Sequence, residues 1–243
     1  MRNIFASDAK TVIVALDHGL VEGAIAGLRD PAETINAVIA GGADAILTSY
    51  GIASTFADHL GGIGLILRSG SAETAVRIGA DAVAVTAFPR SDDAEATLDI
   101  LGRTIGDAHR WGLPVMGEMV PGGFDSPAAL QTAEAIAFSA RLGAELGADF
   151  IKAPYADRYE QVTAATFRPV VILGGSKGDE RDTLANIHDA IAAGAKGVAI
   201  GRNVFQAPDP LAMTSAVAAI VHDGASVDDA VAMLGPLSGE GHS

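Results

Sequence analysis

The stretch Gly147-Ala148-Asp149-Phe150-Ile151-Lys152-Ala153-Pro154-Tyr155 contains a connection from a helix to a strand, and connections of this kind predict the fold. A Gly-Ala-Asp turn ends a helical pattern, a short apolar run follows, and one lysine lies near the end of that run. Related helix-to-strand connections recur as Gly-Gly-Ala-Asp at 41–44, Gly-Ala-Asp at 79–81 and Gly-Ala-Lys-Gly at 194–197. Each glycine is expected to end a helix and to lead through a short loop into a strand. The repeat therefore predicts strands that alternate with helices.

Short apolar runs and longer helical patterns alternate eight times along the chain, at about 30 residues for each pair. The predicted strands are Thr11–Leu16, Ala45–Ser49, Gly64–Leu67, Asp81–Ala87, Pro114–Val120, Phe150–Ala153, Val170–Leu173 and Gly197–Ile200. Helices are predicted over Pro31–Ala40, Ser54–Leu60, Ser71–Gly79, Ser91–Trp111, Ser126–Leu146, Arg158–Ala165 and Asp182–Ala193, with a last one after Pro210. Eight such units predict an α/β protein, a (β/α)8 TIM barrel that spans residues 1–243 as a single domain. An open, doubly wound sheet is the alternative, and residues 236–243 are expected to form a flexible tail.

The amino-acid composition and the net charge exclude several classes of function. Apolar residues make up 49% of the chain and aromatic residues 5%, which suits a parallel sheet buried on both faces. A formal net charge of -14 argues against nucleic acid or an anionic membrane as a partner. The chain has no cysteine, so disulfides, thiolate catalysis and cysteine-ligated metals are excluded. No signal-peptide pattern opens the sequence and no apolar run reaches about 18 residues, so a cytoplasmic protein is expected.

One lysine is a candidate nucleophile. In a parallel barrel the active site lies at the C-terminal ends of the strands. Lys10 and Lys196 precede strands, so only Lys152 and Lys177 lie on the catalytic side. Lys152 falls inside an apolar strand, where burial disfavours the charged form of an amine. A neutral lysine amine can form a Schiff base with a carbonyl group. A lysine paired with a carboxylate in the barrel mouth is the alternative.

Two acidic residues and a histidine also lie near predicted strand ends. By alternation Asp17 shares a strand face with Ile13, so an inward carboxylate that moves protons is predicted there. His18 points the other way, and a hydrogen-bonded loop histidine is the favoured interpretation. Glu118 is either an acid/base group or the ion-pair partner of Lys152. No HxH or ExxH spacing accompanies these residues, so no metal site is expected.

A phosphate site is predicted in two glycine turns. Gly174-Gly175-Ser176 follows the seventh strand, and Gly201-Arg202 follows the eighth. Glycines let backbone N–H groups approach a phosphate, and Ser176 and Arg202 add side-chain donors. The loops after strands seven and eight are the usual phosphate site of this barrel. Glycines that serve only as tight turns are the alternative, and Lys177 is a possible accessory group.

These residues give the sequence its resemblance to a known family. It resembles the archaeal-type class I fructose-bisphosphate aldolases and their DeoC/LacD-like relatives over nearly the whole chain. The motifs that carry the resemblance are Ala15-Leu16-Asp17-His18-Gly19, Phe150-Ile151-Lys152, Gly174-Gly175-Ser176-Lys177 and Gly201-Arg202-Asn203-Val204-Phe205-Gln206. The resemblance implies Lys152 as the Schiff-base lysine, Asp17 as an acid/base residue, a phosphate site at the glycine turns, no cofactor and a ring-forming homo-oligomer.

Strand five departs from that family pattern. The fructose-bisphosphate aldolases of the family usually end this strand in an aromatic–x–Tyr–Pro stretch, in which the tyrosine donates a proton. Here the same place reads Glu118-Met119-Val120-Pro121, so the tyrosine is absent. Tyr155 and Glu118 are the candidates to replace it.

The sequence therefore predicts a class I (Schiff-base) aldolase that cleaves or forms a C–C bond in a phosphorylated ketose such as a fructose bisphosphate. One alternative is a lysine-dependent thiolase or transaldol-type transferase that acts on a phosphorylated ketone. A second is a phosphate-binding isomerase without a Schiff base, and a third is a sugar-phosphate-binding protein without activity. The sugar and the aldehyde partner are not revealed.

Overall fold

The computed structural model describes Met1 and residues 3–235, and the tail predicted at 236–243 lies outside them. Eight parallel strands close into a barrel in sequence order, with β1 hydrogen-bonded to β8. The strands are β1 Thr11–Ala15, β2 Ala45–Thr48, β3 Gly64–Arg68, β4 Ala82–Ala87, β5 Val115–Met119, β6 Phe150–Pro154, β7 Val170–Leu173 and β8 Gly197–Ile200. Closure confirms the predicted (β/α)8 TIM barrel and excludes the open, doubly wound sheet, which leaves its edge strands unpaired.

The helices occupy the outside of the barrel. They are α1 Gly19–Glu22, α2 Pro31–Ala40, α3 Tyr50–Thr55, α4 Ala72–Arg77, α5 Ala94–Arg110, α6 Ala133–Leu146, α7 Glu160–Ala165, α8 Glu180–Ala192, α9 Arg202–Phe205, α10 Pro210–Ala218 and α11 Val227–Ala232. Short 3-10 turns cover Ala57–His59 and Ala128–Leu130, and a π-helical turn covers Ala219–Asp223.

Two predicted helix starts are wrong. The second predicted helix begins earlier, because Ser49 caps α3 by accepting a hydrogen bond from the Ile52 N–H. The helix predicted from Ser126 begins later, because Thr132 caps α6 by accepting from the Ala135 N–H. Both caps satisfy a backbone donor that the first turn of a helix leaves free. The other predicted strands and helices lie within a few residues of their predicted bounds, whereas α1, α9 and α11 were not predicted.

The buried apolar side chains form two clusters, which show whether a strand residue faces the inside of the barrel or the surrounding helices. The inner cluster takes alternate strand residues, among them Ile13, Phe150, Val171 and Ala199. The outer cluster takes the intervening strand residues together with the apolar faces of the helices. Because side chains alternate along a strand, Lys152 shares the inward face with Phe150. Alternation thus points its amine into the barrel mouth.

At the opposite, N-terminal end of the barrel, His222 links Asp8 to Asp44, and we call these three residues the histidine clasp. The His222 ring contacts two carboxylates, with Nδ1 3.0 Å from Asp8 Oδ2 and Nε2 3.0 Å from Asp44 Oδ2. The hydrogen bond with Asp44 is the main reason that the pKa of His222 rises from 6.5 to about 9. Asp44 also accepts a hydrogen bond from the Val12 N–H of β1, so the clasp joins the last helices to the sheet.

We expect the stability of the protein to fall as pH rises through about 9, because the clasp then loses its proton. Folding raises the pKa of His222 above the value of about 6.5 that a histidine has in the unfolded chain. Such a group contributes its full stabilisation of the folded protein below the unfolded pKa, and this contribution is lost above the folded pKa. Thermal unfolding measured across this alkaline range tests the expectation. A His222→Gln variant should lack this part of the pH dependence, and parallel curves for the two proteins would refute the assignment.

Candidate active site

A buried ion pair lies at the C-terminal end of the barrel. Lys152 is 5% exposed and Glu118 is 3% exposed. The two residues are register partners on β6 and β5, and Lys152 Nζ lies 2.7 Å from Glu118 Oε1. Of the two roles that the sequence left open for Glu118, the structure places it as the partner of the lysine. The alternative for Lys152, a lysine paired with a carboxylate in the mouth, describes the arrangement without substrate.

Arg68 extends this pair into a cluster. Its Nη2 lies 2.8 Å from Glu118 Oε2, and its Nε donates a 2.7 Å hydrogen bond to Asp17 Oδ2. Its Nη1 donates to Thr86 Oγ1 at 2.7 Å, and Thr86 in turn donates to Glu118 Oε2 at 2.5 Å. Sequence reasoning missed both Arg68 and Thr86. The available signal was alternation, since Arg68 follows the inward Ile66 by two residues and Thr86 follows the inward Ala84 by two.

The charges of the cluster balance. Burial alone would raise the pKa of Glu118, but the Lys152 ammonium and the Arg68 guanidinium hold it well below its usual range. Burial would likewise lower the pKa of Arg68, but the carboxylates of Glu118 and Asp17 raise it above its usual value. Two cations thus face two anions, which is the condition under which ionised groups are tolerated in a protein interior.

His18 lies beside Asp17, at the edge of the cluster. Its Nδ1 is 3.7 Å from Asp17 Oδ1, which is too long for a hydrogen bond. That nitrogen is buried and has no hydrogen-bond partner within the described residues, so the expected hydrogen-bonded loop histidine is not what the structure places there. The ring packs edge-on against Phe205 at 5.1 Å, on the loop side of the strand as alternation predicted. Burial lowers the pKa of His18, so the imidazole is neutral at pH 7.

The two glycine turns are held together by Asn203, a third residue that sequence reasoning left without a role. Its Nδ2 donates to the carbonyls of Gly174 and Ser176 at 2.7 and 3.0 Å. Its Oδ1 accepts from the Gly178 N–H at 2.8 Å, and the side chain is 3% exposed. The turn after β7 is therefore fixed to the start of α9. Its backbone shape depends on one buried amide.

Arg202 and Gly201 complete this part of the mouth. Arg202 Nη2 donates weakly to the Gly175 carbonyl at 3.4 Å, and Nη1 lies 3.5 Å from Glu22 Oε1. Arg202 Nε is buried and makes no hydrogen bond to any residue that the structure describes. A Cβ on Gly201 would lie 2.3 Å from His18 Cε1, so only glycine fits. Lys177 lies exposed in the same turn.

Residues 11–207 match the model of the DeoC/LacD family aldolases. The chain belongs to this aldolase family. Among its relatives, a 2-amino-3,7-dideoxy-D-threo-hept-6-ulosonate synthase of Halobacterium salinarum is 38% identical, over 96% of this chain and 94% of the relative. A 3-hydroxy-5-phosphonooxypentane-2,4-dione thiolase of Yersinia pestis is 33% identical, over 88% of this chain and 77% of the relative.

The fold of this aldolase-family protein is also that of a solved archaeal relative. The structure of an archaeal fructose-1,6-bisphosphate aldolase, with its catalytic lysine covalently bound to a carbinolamine intermediate, superposes with a TM-score of 0.81. The two chains are 31% identical, and the match covers 90% of this chain and 96% of the relative. The resemblance recognised from the motifs is thereby confirmed at the level of the family.

Tyr155 lies apart from the cluster of this aldolase-family barrel. Its ring stacks on Tyr159 at 5.7 Å and packs against the outer apolar cluster. It lines a groove of about 330 Å³, together with outward-facing residues such as Ile172 and Val198 and with the glycine turn at Gly174–Ser176. Burial raises the pKa of Tyr155. The structure therefore does not bring Tyr155 to Lys152 as a replacement for the strand-five tyrosine, and we do not carry that role further.

The described residues contain neither of two other kinds of site. Among them, no group of three or more His, Cys, Asp or Glu side chains is arranged to hold a metal ion. Within the same part of the chain, no helix combines the length and the hydropathy needed to cross a membrane.

Proposed function

We propose that this protein is a Schiff-base aldolase, which makes or breaks a C–C bond in a phosphorylated ketose with Lys152 as the nucleophile. The observation that carries the proposal is the inward amine of Lys152, which is 5% exposed and lies 2.7 Å from Glu118 at the catalytic end of the barrel. The covalently bound lysine of the archaeal relative, which is 31% identical, supports the same role here. Active sites of this barrel lie at that end.

The chemistry begins when the neutral amine attacks the ketone carbon of the substrate. A C–N bond forms, the carbonyl oxygen takes up a proton, and loss of water from the carbinolamine leaves an iminium ion. The C–C bond between the α and β carbons of the iminium then breaks, and its electron pair moves towards the iminium nitrogen to give an enamine. A base removes the proton of the hydroxyl on the β carbon as this bond breaks, so the fragment that carries this hydroxyl leaves as an aldehyde. Protonation of the enamine carbon and addition of water return the free lysine and the second product.

Asp17 and Glu118 have different parts in this scheme. Asp17 faces the mouth and has one oxygen that is not hydrogen-bonded to Arg68, so we assign it the proton transfers. Glu118 stays ionised between Lys152 and Arg68, so we assign it as the counter-ion of the ammonium and then of the iminium. The neutral imidazole of His18 lies beside Asp17 and can accept or pass a proton as an accessory group.

The substrate phosphate is assigned to the two glycine turns, where Gly174, Gly175, Ser176, Gly201 and Arg202 supply backbone and side-chain donors, with Lys177 as an accessory cation. Arg202 supports this assignment, since its guanidinium has a buried Nε without a partner among the described residues and only long contacts to Glu22 and to the Gly175 carbonyl. An anchored phosphate holds the carbonyl against the amine, and positioning of this kind lowers a barrier by several kcal/mol.

Replacing Gly201 with alanine should weaken binding of inorganic phosphate and raise the KM for a phosphorylated ketose. The new methyl group would lie 2.3 Å from His18 Cε1 and 2.9 Å from the Ala15 carbonyl, so the loop must shift. A displacement of about 1 Å can cost about 100-fold in rate. Calorimetry with phosphate and steady-state kinetics measure the two effects. Gly51→Ala is the control, because its nearest neighbour is Ser49 Oγ at 3.9 Å; equal behaviour of the two variants would contradict the assignment.

A second candidate function is a transferase or synthase that passes the enamine to another carbonyl acceptor. The stretch Glu118-Met119-Val120-Pro121 carries Val120 where the fructose-bisphosphate aldolases have their tyrosine, so cleavage by the tyrosine route is not available. The 38% identical ulosonate synthase and the 33% identical thiolase favour the same alternative. Both candidates need the same lysine.

Borohydride trapping tests the proposal. Incubation with dihydroxyacetone phosphate or fructose 1,6-bisphosphate, followed by borohydride, should add the mass of the reduced ketose to the peptide that contains Lys152. Omission of either the ketose or the borohydride is the control and should leave the peptide unchanged. Turnover without any trapped adduct, or an adduct that persists in Lys152→Ala, would show that the lysine is not the nucleophile.

A further inference from the structure

Arg68 is the group of the mouth that contacts both acidic side chains. Its three guanidinium nitrogens have three different partners: Nε binds Asp17, Nη1 binds Thr86 and Nη2 binds Glu118, each within 2.8 Å. The guanidinium is a rigid, planar fork with fixed donor directions. A side chain held in this way at the end of β3 sets the relative position of residues on β1, β4 and β5.

We propose that Arg68 is a positioning residue, which leaves Asp17 with one oxygen free for substrate protons and makes Glu118 the permanent counter-ion of Lys152. The inference rests on the proposed Schiff-base chemistry, because it assigns the two carboxylates of that site to separate tasks. Nothing in the motifs that carry the family resemblance includes Arg68.

The oxygens of Asp17 show the first half of this division. Oδ2 accepts the Arg68 Nε hydrogen bond at 2.7 Å, which fixes the carboxylate plane. Oδ1 is 3.7 Å from His18 Nδ1, beyond hydrogen-bond distance. The residue lies two positions beyond the end of β1, and its side chain is 11% exposed. Oδ1 is thus the oxygen presented to a substrate, and Arg68 decides its direction.

The oxygens of Glu118 show the second half. Oε2 accepts from both Thr86 Oγ1 and Arg68 Nη2, so its hydrogen-bonding capacity is taken by the protein. Oε1 faces Lys152 Nζ at 2.7 Å. A carboxylate held on one oxygen by two donors cannot rotate away from the amine. It also cannot readily accept a proton, because two cations and a hydroxyl group stabilise its charged form.

The charged and polar groups around Glu118 come from several strands of the barrel. Lys152 on β6 and Arg68 on β3 are cations, Thr86 on β4 is a hydroxyl donor, and Asp17, just after β1, reaches it only through Arg68. The pKa of Glu118 lies well below its usual range because the two cations outweigh its burial. Without Arg68 the carboxylate would keep only one of these cations, so its protonation would begin at higher pH.

Strand five has no tyrosine, and a permanently ionised Glu118 does not replace that tyrosine as a proton donor. The strand-five side chain that reaches the lysine is an anion, and an anion that is 3% exposed needs compensation. Lys152 alone cannot provide this compensation throughout the reaction, because its amine must be neutral when it attacks. Arg68 cannot be deprotonated in a protein, so it keeps Glu118 charged during that step.

The test compares Arg68→Met, which keeps the volume but removes the charge, with Arg68→Lys, which keeps the charge but not the fork. We expect Arg68→Met to lower kcat about 100-fold and to move the acid limb of the kcat/KM profile to higher pH. Arg68→Lys should restore the position of that limb but only part of the rate. Arg77→Met, which removes an exposed arginine that pairs with Glu73 on α4, is the control.

A merely structural role for Arg68 makes a different prediction. In that case Arg68→Met would lower the amount of folded protein but would keep the kcat and the pH limb of each folded molecule, and this outcome would overturn the inference. If Arg68→Met does not fold, the kcat of Arg68→Lys decides, since an unchanged kcat in that variant would show that the guanidinium fork has no function.

A second readout separates this inference from the proposed function. At mildly acidic pH, folded Arg68→Met should show the infrared band of one more protonated carboxyl group than the wild type. This additional band should vanish in the double variant Arg68→Met/Glu118→Gln. This measurement needs no turnover, so failure of borohydride trapping would overturn only the Schiff-base chemistry. Absence of the additional band from Arg68→Met would overturn the positioning role even in an enzyme that traps its ketose.

Discussion

Replacing Lys152 with arginine should leave a folded protein that has lost its C–C bond chemistry. Arginine keeps a cation beside Glu118, so the buried charges stay balanced and the fold should survive. The guanidinium cannot be deprotonated and cannot form an imine. Loss of a covalent nucleophile costs a very large factor, and we expect kcat to fall about 10⁴-fold or more. Steady-state kinetics on a phosphorylated ketose, together with circular dichroism, measure the two parts.

The matched control is Lys196→Arg, since Lys196 is exposed and precedes β8 at the opposite end of the barrel. It should keep the wild-type kcat. Retention of activity within about tenfold in Lys152→Arg would instead identify a fixed cation that stabilises an enolate, as in an isomerase without a Schiff base. Trapping with borohydride would then fail as well, and the two results together would replace the aldolase mechanism by the isomerase.

The barrel could be predicted because its signals are local. A glycine that ends a helix and a short apolar run that follows are visible in any window of the sequence, as at Gly147 and Phe150. Helix starts were less secure, since Ser126-Pro127 has the same cap-and-proline pattern as Asp30-Pro31. Only the second pair begins a helix, because the first lies in a turn in which Ser126 donates its N–H to the Gly123 carbonyl.

Alternation along the strands could place the acidic and basic residues at the strand ends, but it could not predict which residues they contact. Lys152 and Glu118 lie on adjacent strands in register, so a pairing of the two was one of the stated alternatives. Arg68 binds residues on strands β1 and β5, which are not its neighbours in the barrel. Such contacts depend on the width of the mouth and on rotamers of a long side chain, and neither is encoded in a local pattern.

Two further residues show the limits of motif reading. Tyr155 follows Lys152 by three residues, an odd number, so strict alternation already directs it to the other face of the strand. Applying that rule would have removed it from the candidates. Asn203 belongs to a recognised motif, yet its hydrogen bonds to Gly174 and Ser176 depend on the shape of a loop 27 and 29 residues away in sequence. Long-range loop contacts of this kind require the folded chain.

Replacing Glu118 with glutamine should destabilise the protein by about 3–5 kcal/mol, since removal of one partner from a buried ion pair leaves the others uncompensated. The variant keeps the shape of the side chain but removes the anion that faces Lys152 and Arg68. Asp17 then opposes two cations alone. Urea denaturation of wild type and variant gives the free energies of unfolding. Glu73→Gln, which breaks an exposed pair with Arg77 on α4, should change stability by no more than about 1 kcal/mol.

The double variant Arg68→Met/Glu118→Gln shows whether the loss of stability in Glu118→Gln comes from the unbalanced charge or from the shape of the side chain. It removes one cation together with the anion, so Lys152 and Asp17 balance again. We expect it to be more stable than the two single changes predict by about 0.5–3 kcal/mol, the range found for residues in one network. Additive losses, or a loss in Glu118→Gln as small as that in Glu73→Gln, would mean that the mouth is solvated enough to hold an uncompensated charge. Glu118 could then not act as the fixed counter-ion of an iminium, because water would screen both groups.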